Sequence, residues 1–240
     1  MKKWMVLAGL SLGLCGVAAP VWAQEQATRP NPPRQNRQAT QKVLDAIKLH
    51  EAGQTGEAIT ALEAVNKEFP DNEDALNWLS YLLVQEERYE DAIPHLETIV
   101  RANPDDTRAL NDLALAYRAT DRESEALLTL THLSELEPDR ADIHAILGSM
   151  YLEASETDKA IMHLERANVL SPDNADILNN LGVAYIQADR MDEARRIFEA
   201  LLERDNDNVT ALSWLGYMAM MDDDYGTAIR LLERARTIHP

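Results

Sequence analysis

Ala175-Asp-Ile-Leu-Asn-Asn-Leu-Gly-Val-Ala-Tyr185, closely followed by Asp192-Glu-Ala-Arg-Arg-Ile-Phe198, is the stretch that decides the fold. Leu178, Leu181, Gly182 and Tyr185 recur at three- and four-residue steps, which align on one face of a helix. Ala194 and Phe198 do the same on a second helix, with Leu201 extending the face. The small residues Gly182 and Ala194 let the two helices approach closely, and Leu, Tyr and Phe fill the space around them. The spacing therefore predicts a pair of helices joined by a short turn.

The pattern is one of six. Pro70, Pro104, Pro138, Pro172 and Pro240 stand on a 34-residue ladder, with Asn206 on the remaining rung. Ala58, Ala92, Ala126, Ala160, Ala194 and Ala228 form a second ladder without a gap. With Pro70 at position 32, the units run 39–72, 73–106, 107–140, 141–174, 175–208 and 209–240. Position 8 is always small: Ala46, Ser80, Ala114, Gly148, Gly182 and Gly216. Position 24 is Leu in every unit but one, where it is Phe198. Proline near position 32 ends the second helix, which it cannot continue. The acidic residues that follow it are available as caps for the next helix. A fixed period of this length marks a stack of helical repeats, each burying its apolar face on its neighbours.

This pattern resembles the tetratricopeptide repeat over residues 39–240. The resemblance implies an all-α fold, a right-handed superhelical solenoid of six helix–turn–helix units. Two departures stand out. Unit 39–72 carries Lys42 and Asp45 where apolar residues are usual, and Pro94 is expected in or just after the first turn of its helix.

Resemblance also implies that the first helices line a concave groove, with positions 2, 5, 9, 12 and 13 facing it. Its candidate partner-binding residues are Asn77, Tyr81, Asn111, Leu115, Arg118, Leu152, Asn179, Val183, Ile186, Ser213 and Tyr217. Carboxamides both donate and accept, so Asn77, Asn111 and Asn179 suit an extended peptide backbone. The aliphatic members have a second reading as packing between repeats. Trp78 with Tyr81, and Trp214 with Tyr217, are three residues apart on first helices and form candidate aromatic anchors. Trp78 and Trp214 are equally readable as plugs of the seams between repeats. The family's carboxylate clamp is not expected, because Asp74, Asp142 and Asp176 stand at position 2.

The ends differ from the repeats. Lys2 and Lys3, the apolar run from Val6 to Ala19 and Val21-Trp22-Ala23 predict a signal segment over 1–23, cut before Gln24. An uncleaved membrane tether is the alternative. Cys15, the only cysteine, leaves with it. Residues 24–38 carry Pro30, Pro32, Pro33, four glutamines and three arginines, and are expected to be a flexible leader. At the other end Ile229, Leu232, Ala235 and Ile238 are expected to leave apolar surface exposed, as in an uncapped repeat.

The chain carries a formal net charge of −18; without Lys2 and Lys3 it has 21 basic residues against 41 acidic ones. That balance argues against nucleic acid and anionic membranes as partners. No phosphate loop, metalloprotease helix or nucleophile elbow is present, so the expectation is no enzyme, no cofactor and no metal. His95 and His163 share position 23 two units apart and would not converge on an ion. The Asp205–Asn208 and Asp222–Asp224 runs read as turns, lacking the glycine and glutamate spacing of a calcium loop. The expectation is an exported periplasmic scaffold or adaptor that binds a segment of an envelope protein during envelope assembly. A scaffold self-assembling through its last repeat, giving a homo-oligomer, and an accessory subunit of an envelope enzyme are the alternatives.

Overall fold

The computed structural model describes residues 34–70 and 72–238, so the expected signal segment lies outside it. Among the described residues there are twelve helices and no strand. They are α1 (Arg34–Glu51), α2 (Thr55–Glu68), α3 (Glu73–Gln85), α4 (Tyr89–Ala102), α5 (Thr107–Ala119) and α6 (Glu123–Leu136). Then follow α7 (Ala141–Glu153), α8 (Thr157–Leu170), α9 (Ala175–Gln187), α10 (Met191–Arg204), α11 (Val209–Met221) and α12 (Tyr225–Ile238). In register, every first helix ends at position 13, and every second helix spans positions 17 to 30. The helix α1 begins at Arg34, so Arg34–Gln38 are helical and not part of an extended leader.

The turn inside each unit has one geometry. Position 15 is left-handed throughout: Gly53 (φ 80), Glu87 (φ 56), Asp121 (φ 57), Ser155 (φ 60), Asp189 (φ 60) and Asp223 (φ 60). The next backbone N–H then reaches back to the carbonyl of position 11, as from Arg88 to Leu83 and from Glu156 to Tyr151, both at 2.8 Å. This closes the helix end and satisfies carbonyls that would be orphaned. Only the first unit uses glycine for it. A non-glycine residue in that region costs roughly 1–2 kcal/mol, less the entropy that glycine adds to the unfolded chain. Ser155→Gly is therefore expected to stabilise the protein by about 0.5–1 kcal/mol, measured by urea unfolding.

The caps correct one sequence expectation. Position 34 holds the capping side chain, and three of four are amides rather than acids. Asn72, Asp106 and Asn208 accept from the N–H groups of Ala75, Ala109 and Ala211 at 2.8–2.9 Å, and Asn174 accepts from Asp176 and Ile177. Pro94 falls just after the first turn, as expected. It is the sixth residue of α4, in its second turn, where the missing N–H leaves the Glu90 carbonyl without its helical donor.

The described residues form two compact units, one through Thr129 and one from Leu130, the boundary falling inside α6. In the first unit α1 to α5 each pack on their neighbours in sequence, and α1 packs on α3 and α3 on α5 as well, so first helices form one layer. Ala58, Leu62, Leu79, Ala92 and Leu96 make its core. At its surface Lys42 pairs with Glu68 and lies over the Phe69 ring, while Asp45 bonds Lys48 and Gln41.

The second unit repeats the arrangement, with α7 on α9 marking its own layer of first helices. A Cβ built on Gly148 would stand 2.5 Å from Leu164 Cγ, one on Gly182 2.5 Å from Phe198 Cζ, and one on Gly216 2.7 Å from Leu232 Cγ. Position 8 is thus glycine here because position 24 of the same pair lies directly against it. The α12 helix keeps apolar side chains in solvent. Ile229 is 58% exposed, whereas its counterpart Ile161 is buried; Leu232 and Ile238 are exposed too, but Ala235 is buried, against expectation. Among the described residues no helix is long and apolar enough to cross a membrane.

Candidate partner-binding site

The groove residues named from sequence all fall on first helices, but their surroundings differ between the two units. In the first unit Asn77 is only 6% exposed, and its Oδ1 accepts a hydrogen bond from Arg108 Nη2 at 2.5 Å. It is committed to structure, contrary to the sequence expectation. Asn111 bonds the carboxylate of Asp112. Arg108 stands 3.6 Å from Asp112 and 3.8 Å from Asp106. Burial pushes the Asp112 carboxyl up to about 6, with Asp106 adding to the shift and Arg108 and Asn111 opposing it. Trp78 is 2% exposed and crosses Tyr81 edge-on, ring centroids 5.9 Å apart. It packs the seam and is no exposed anchor. Tyr81, Leu115 and Arg118 are half-buried, so the polar Asn77–Arg108–Asp112 network replaces the expected line of open carboxamides.

That network has a measurable consequence. A carboxyl raised to about 6 in the fold and ordinary when unfolded weakens the fold once both states have lost the proton. Stability is therefore lower above pH 6 than below pH 3.8 through this group. Asp112→Asn is expected to raise the melting temperature at pH 7 by a few degrees and to do nothing at pH 3.5, as calorimetry at the two pH values would read.

In the second unit the sequence-named residues converge. Ile186 from α9, Ser213, Trp214 and Tyr217 from α11, and Met191 from α10 line an open cleft of about 500 Å³. Trp214 lies flat on the buried ring of Phe198, centroids 6.3 Å apart and 16° between planes. Its other side meets Tyr217 edge-on at 5.9 Å and 86°. Tyr217 is thereby held upright, yet 40% exposed. Ser213 Oγ donates to the Val209 carbonyl at 2.7 Å. Leu152, Val183 and Asn179 are half-buried and do not line the cleft. The Asn179 Oδ1 is enclosed with no partner among the described residues. The helix α11 carries no charged residue, and Met220 and Met221 extend its exposed apolar face.

Sequence reasoning missed Met191, which begins α10 at position 17, outside the first-helix positions searched. It also missed a histidine pair. His144 and His163, both buried, face each other within one helix pair, Nδ1 to Nδ1 at 3.0 Å. His144 Nε2 lies 3.1 Å from the Pro138 carbonyl, and Tyr151 stacks on His163 at 5.5 Å and 16°. The signal was present: position 4 is Leu in four other units and His only at His144. Neighbouring pairs use another device at this seam. Tyr117 donates to Glu97 at 2.8 Å under Arg122, and Tyr185 to Glu165 at 2.7 Å under Arg190. Burial and the carboxylate raise both phenols to about 12.

Comparison with known proteins agrees with the fold. The family model for the tetratricopeptide repeat matches residues 49–92, 83–150 and 151–213. The chain belongs to the tetratricopeptide-repeat family. Solved structures share the fold. A crystal structure of MamA protein is 27% identical over 70% of this chain and 92% of its own, with a TM-score of 0.62. YrrB, described as a TPR protein with an unusual peptide-binding site, is 18% identical over 75% of this chain and 93% of its own, TM-score 0.65. A tetratricopeptide-repeat protein from Parabacteroides merdae ATCC 43184 is 14% identical over 85% and 81%, TM-score 0.63. No curated protein matches the chain at the level of sequence.

Proposed function

We propose that this tetratricopeptide-repeat protein is a non-catalytic binding scaffold that holds a segment of an envelope protein in the cleft of its second unit. The observation that carries this reading is the cleft itself. Five side chains from three helices, four of them apolar, leave a tyrosine fixed by its neighbours and open on one side. Aromatic residues with low rotamer freedom are the usual anchors of a peptide partner, because little entropy is lost on binding. The peptide-binding site described for YrrB is in keeping with this use of the fold. The Asn77–Arg108–Asp112 network would serve the first unit as packing rather than recognition.

Location is part of the proposal. Lys2, Lys3 and the apolar run ending at Val21-Trp22-Ala23 favour export to the periplasm with removal of residues 1–23. The partner would then be an envelope component, and envelope assembly the process served. The test is capture by the chain from Gln24 in native periplasm, beside a variant with Met191→Ala and Tyr217→Ala. A protein held by the native chain and lost with the variant, at unchanged circular dichroism, supports the reading. Equal capture by both overturns it.

A further inference from the structure

We propose that the cleft of the second unit takes the chain's own segment Arg29-Pro-Asn-Pro-Pro-Arg34, presented by a second copy. The inference rests on the reading of the cleft as a peptide site and names an occupant for it. Proline restricts its own φ to near the polyproline value and has no N–H, and this segment has three, Pro30, Pro32 and Pro33. Segments of that kind bind in grooves lined by aromatic rings, onto which the pyrrolidine rings pack with little loss of entropy. The edge-on Trp214–Tyr217 pair, with Met191 and Ile186 around it, is such a groove, and no charged side chain lines it.

Charge favours the same occupant. Arg29 and Arg34 flank the prolines in a chain of net charge −18. Asp189 and Asp192, on either side of Met191 in sequence, are exposed carboxylates with no cation paired to them among the described residues. Of the nearby cations, Arg190 and Arg195 are taken by Glu193 and Asp222, and Arg196 donates to the backbone carbonyl of Asp192, not to its carboxylate. A proline seated on the rings would bring its flanking arginines near carboxylates that lack a partner.

Reach is sufficient. With residues 1–23 removed as proposed, ten residues, Gln24 to Pro33, would stand before Arg34. A polyproline stretch of ten residues measures about 30 Å, more than the width of a helix pair. Each copy then offers one segment and one cleft, so the contact is heterologous and assembly grows with concentration.

The test uses the chain from Gln24, which keeps every described helix, and a fluorescein-labelled peptide of residues 24–38. Anisotropy is expected to show binding that weakens with salt. Affinity is expected to fall at least tenfold with Tyr217→Ala or Met191→Ala, and equally when the three prolines of the peptide become alanine. The peptide series leaves the protein untouched, so a folding defect cannot produce that result. Sedimentation is expected to show mass rising with concentration and returning to one copy with excess peptide. No binding at about 1 mM peptide, or equal binding by the alanine peptide, overturns the assignment. So does a mass that stays at one copy at every concentration. If the peptide fails while the Met191 and Tyr217 variant still loses its periplasmic partner, only the occupant is wrong. If that variant also keeps its partner, the cleft reading falls with it.

Discussion

Phe198→Ala is expected to destabilise the second unit by about 3–5 kcal/mol. The ring is fully buried, lies against the α-carbon of Gly182, and carries Trp214 stacked on its face. Truncation opens a cavity that the glycine cannot fill, and removes the support that orients the Trp214–Tyr217 pair. Phe198→Leu is the informative control. The neighbouring pairs Gly148–Leu164 and Gly216–Leu232 show that leucine fits this geometry, so its cost is expected to be under half that of alanine. Urea unfolding followed by tryptophan fluorescence measures both. A loss below about 1 kcal/mol for alanine would mean that the position 8 and position 24 contact does not hold the pair together.

The second large effect is on pH. His144 and His163 are buried against each other, and burial, reinforced by His144, lowers His163 to about 4. A histidine depressed in the fold and ordinary when unfolded is a source of stability above pH 6.5 that disappears as pH falls toward 4. The geometry gives the reason. If His144 Nε2–H donates to the Pro138 carbonyl, its Nδ1 accepts from His163 Nδ1–H, and a charge on His163 would sit between that ring and the stacked Tyr151 ring, largely out of reach of water. The charged groups around this pair are Lys159 over Tyr151, Arg166 on the Pro138 carbonyl and Asp139, and Arg140 with Glu137 and Asp142. The second unit is thus expected to lose melting temperature steadily from pH 6.5 to 4, and His163→Leu to flatten that slope. Asp112 works in the opposite direction in the first unit, gaining stability as it takes up its proton. Amide exchange by unit, at pH 6.5 and 4.5, is expected to show protection rising near Asp112 and falling near His163. Parallel changes in both units would contradict the assignment of these two groups.

Much of this was legible in the sequence because the repeat over-determines it. The proline and alanine ladders place the helices of every unit apart from the start of α1, since a 34-residue period leaves no freedom in register. The glycines at position 8 announce a close approach, and the structure supplies the rings and leucines against them. What resisted reading were pair interactions that one periodic position cannot reveal. Asn77 and Asn179 share position 5, yet Asn77 is bound by Arg108 of the following pair while the Asn179 oxygen is enclosed without a partner. Trp78 and Trp214 share position 6, yet one is sealed and the other borders the cleft. The difference arises in their neighbours: Trp78 has His50 at 6.5 Å, whereas Trp214 has Phe198 beneath it and open space beside it. The leader expectation failed at Arg34 because glutamine, arginine and asparagine are polar but do not oppose a helix that its own apolar face already anchors.

The most direct test of the central claim places a photocrosslinking amino acid at Tyr217 in the cleft and, separately, at Val169 on the exposed side of α8. Both proteins are irradiated in the native envelope, and the crosslinked partner is identified together with the segment joined. The cleft reading predicts one adduct from position 217, joined through a short segment of the partner and absent from position 169. The same adduct from both positions, or from position 169 alone, would contradict it.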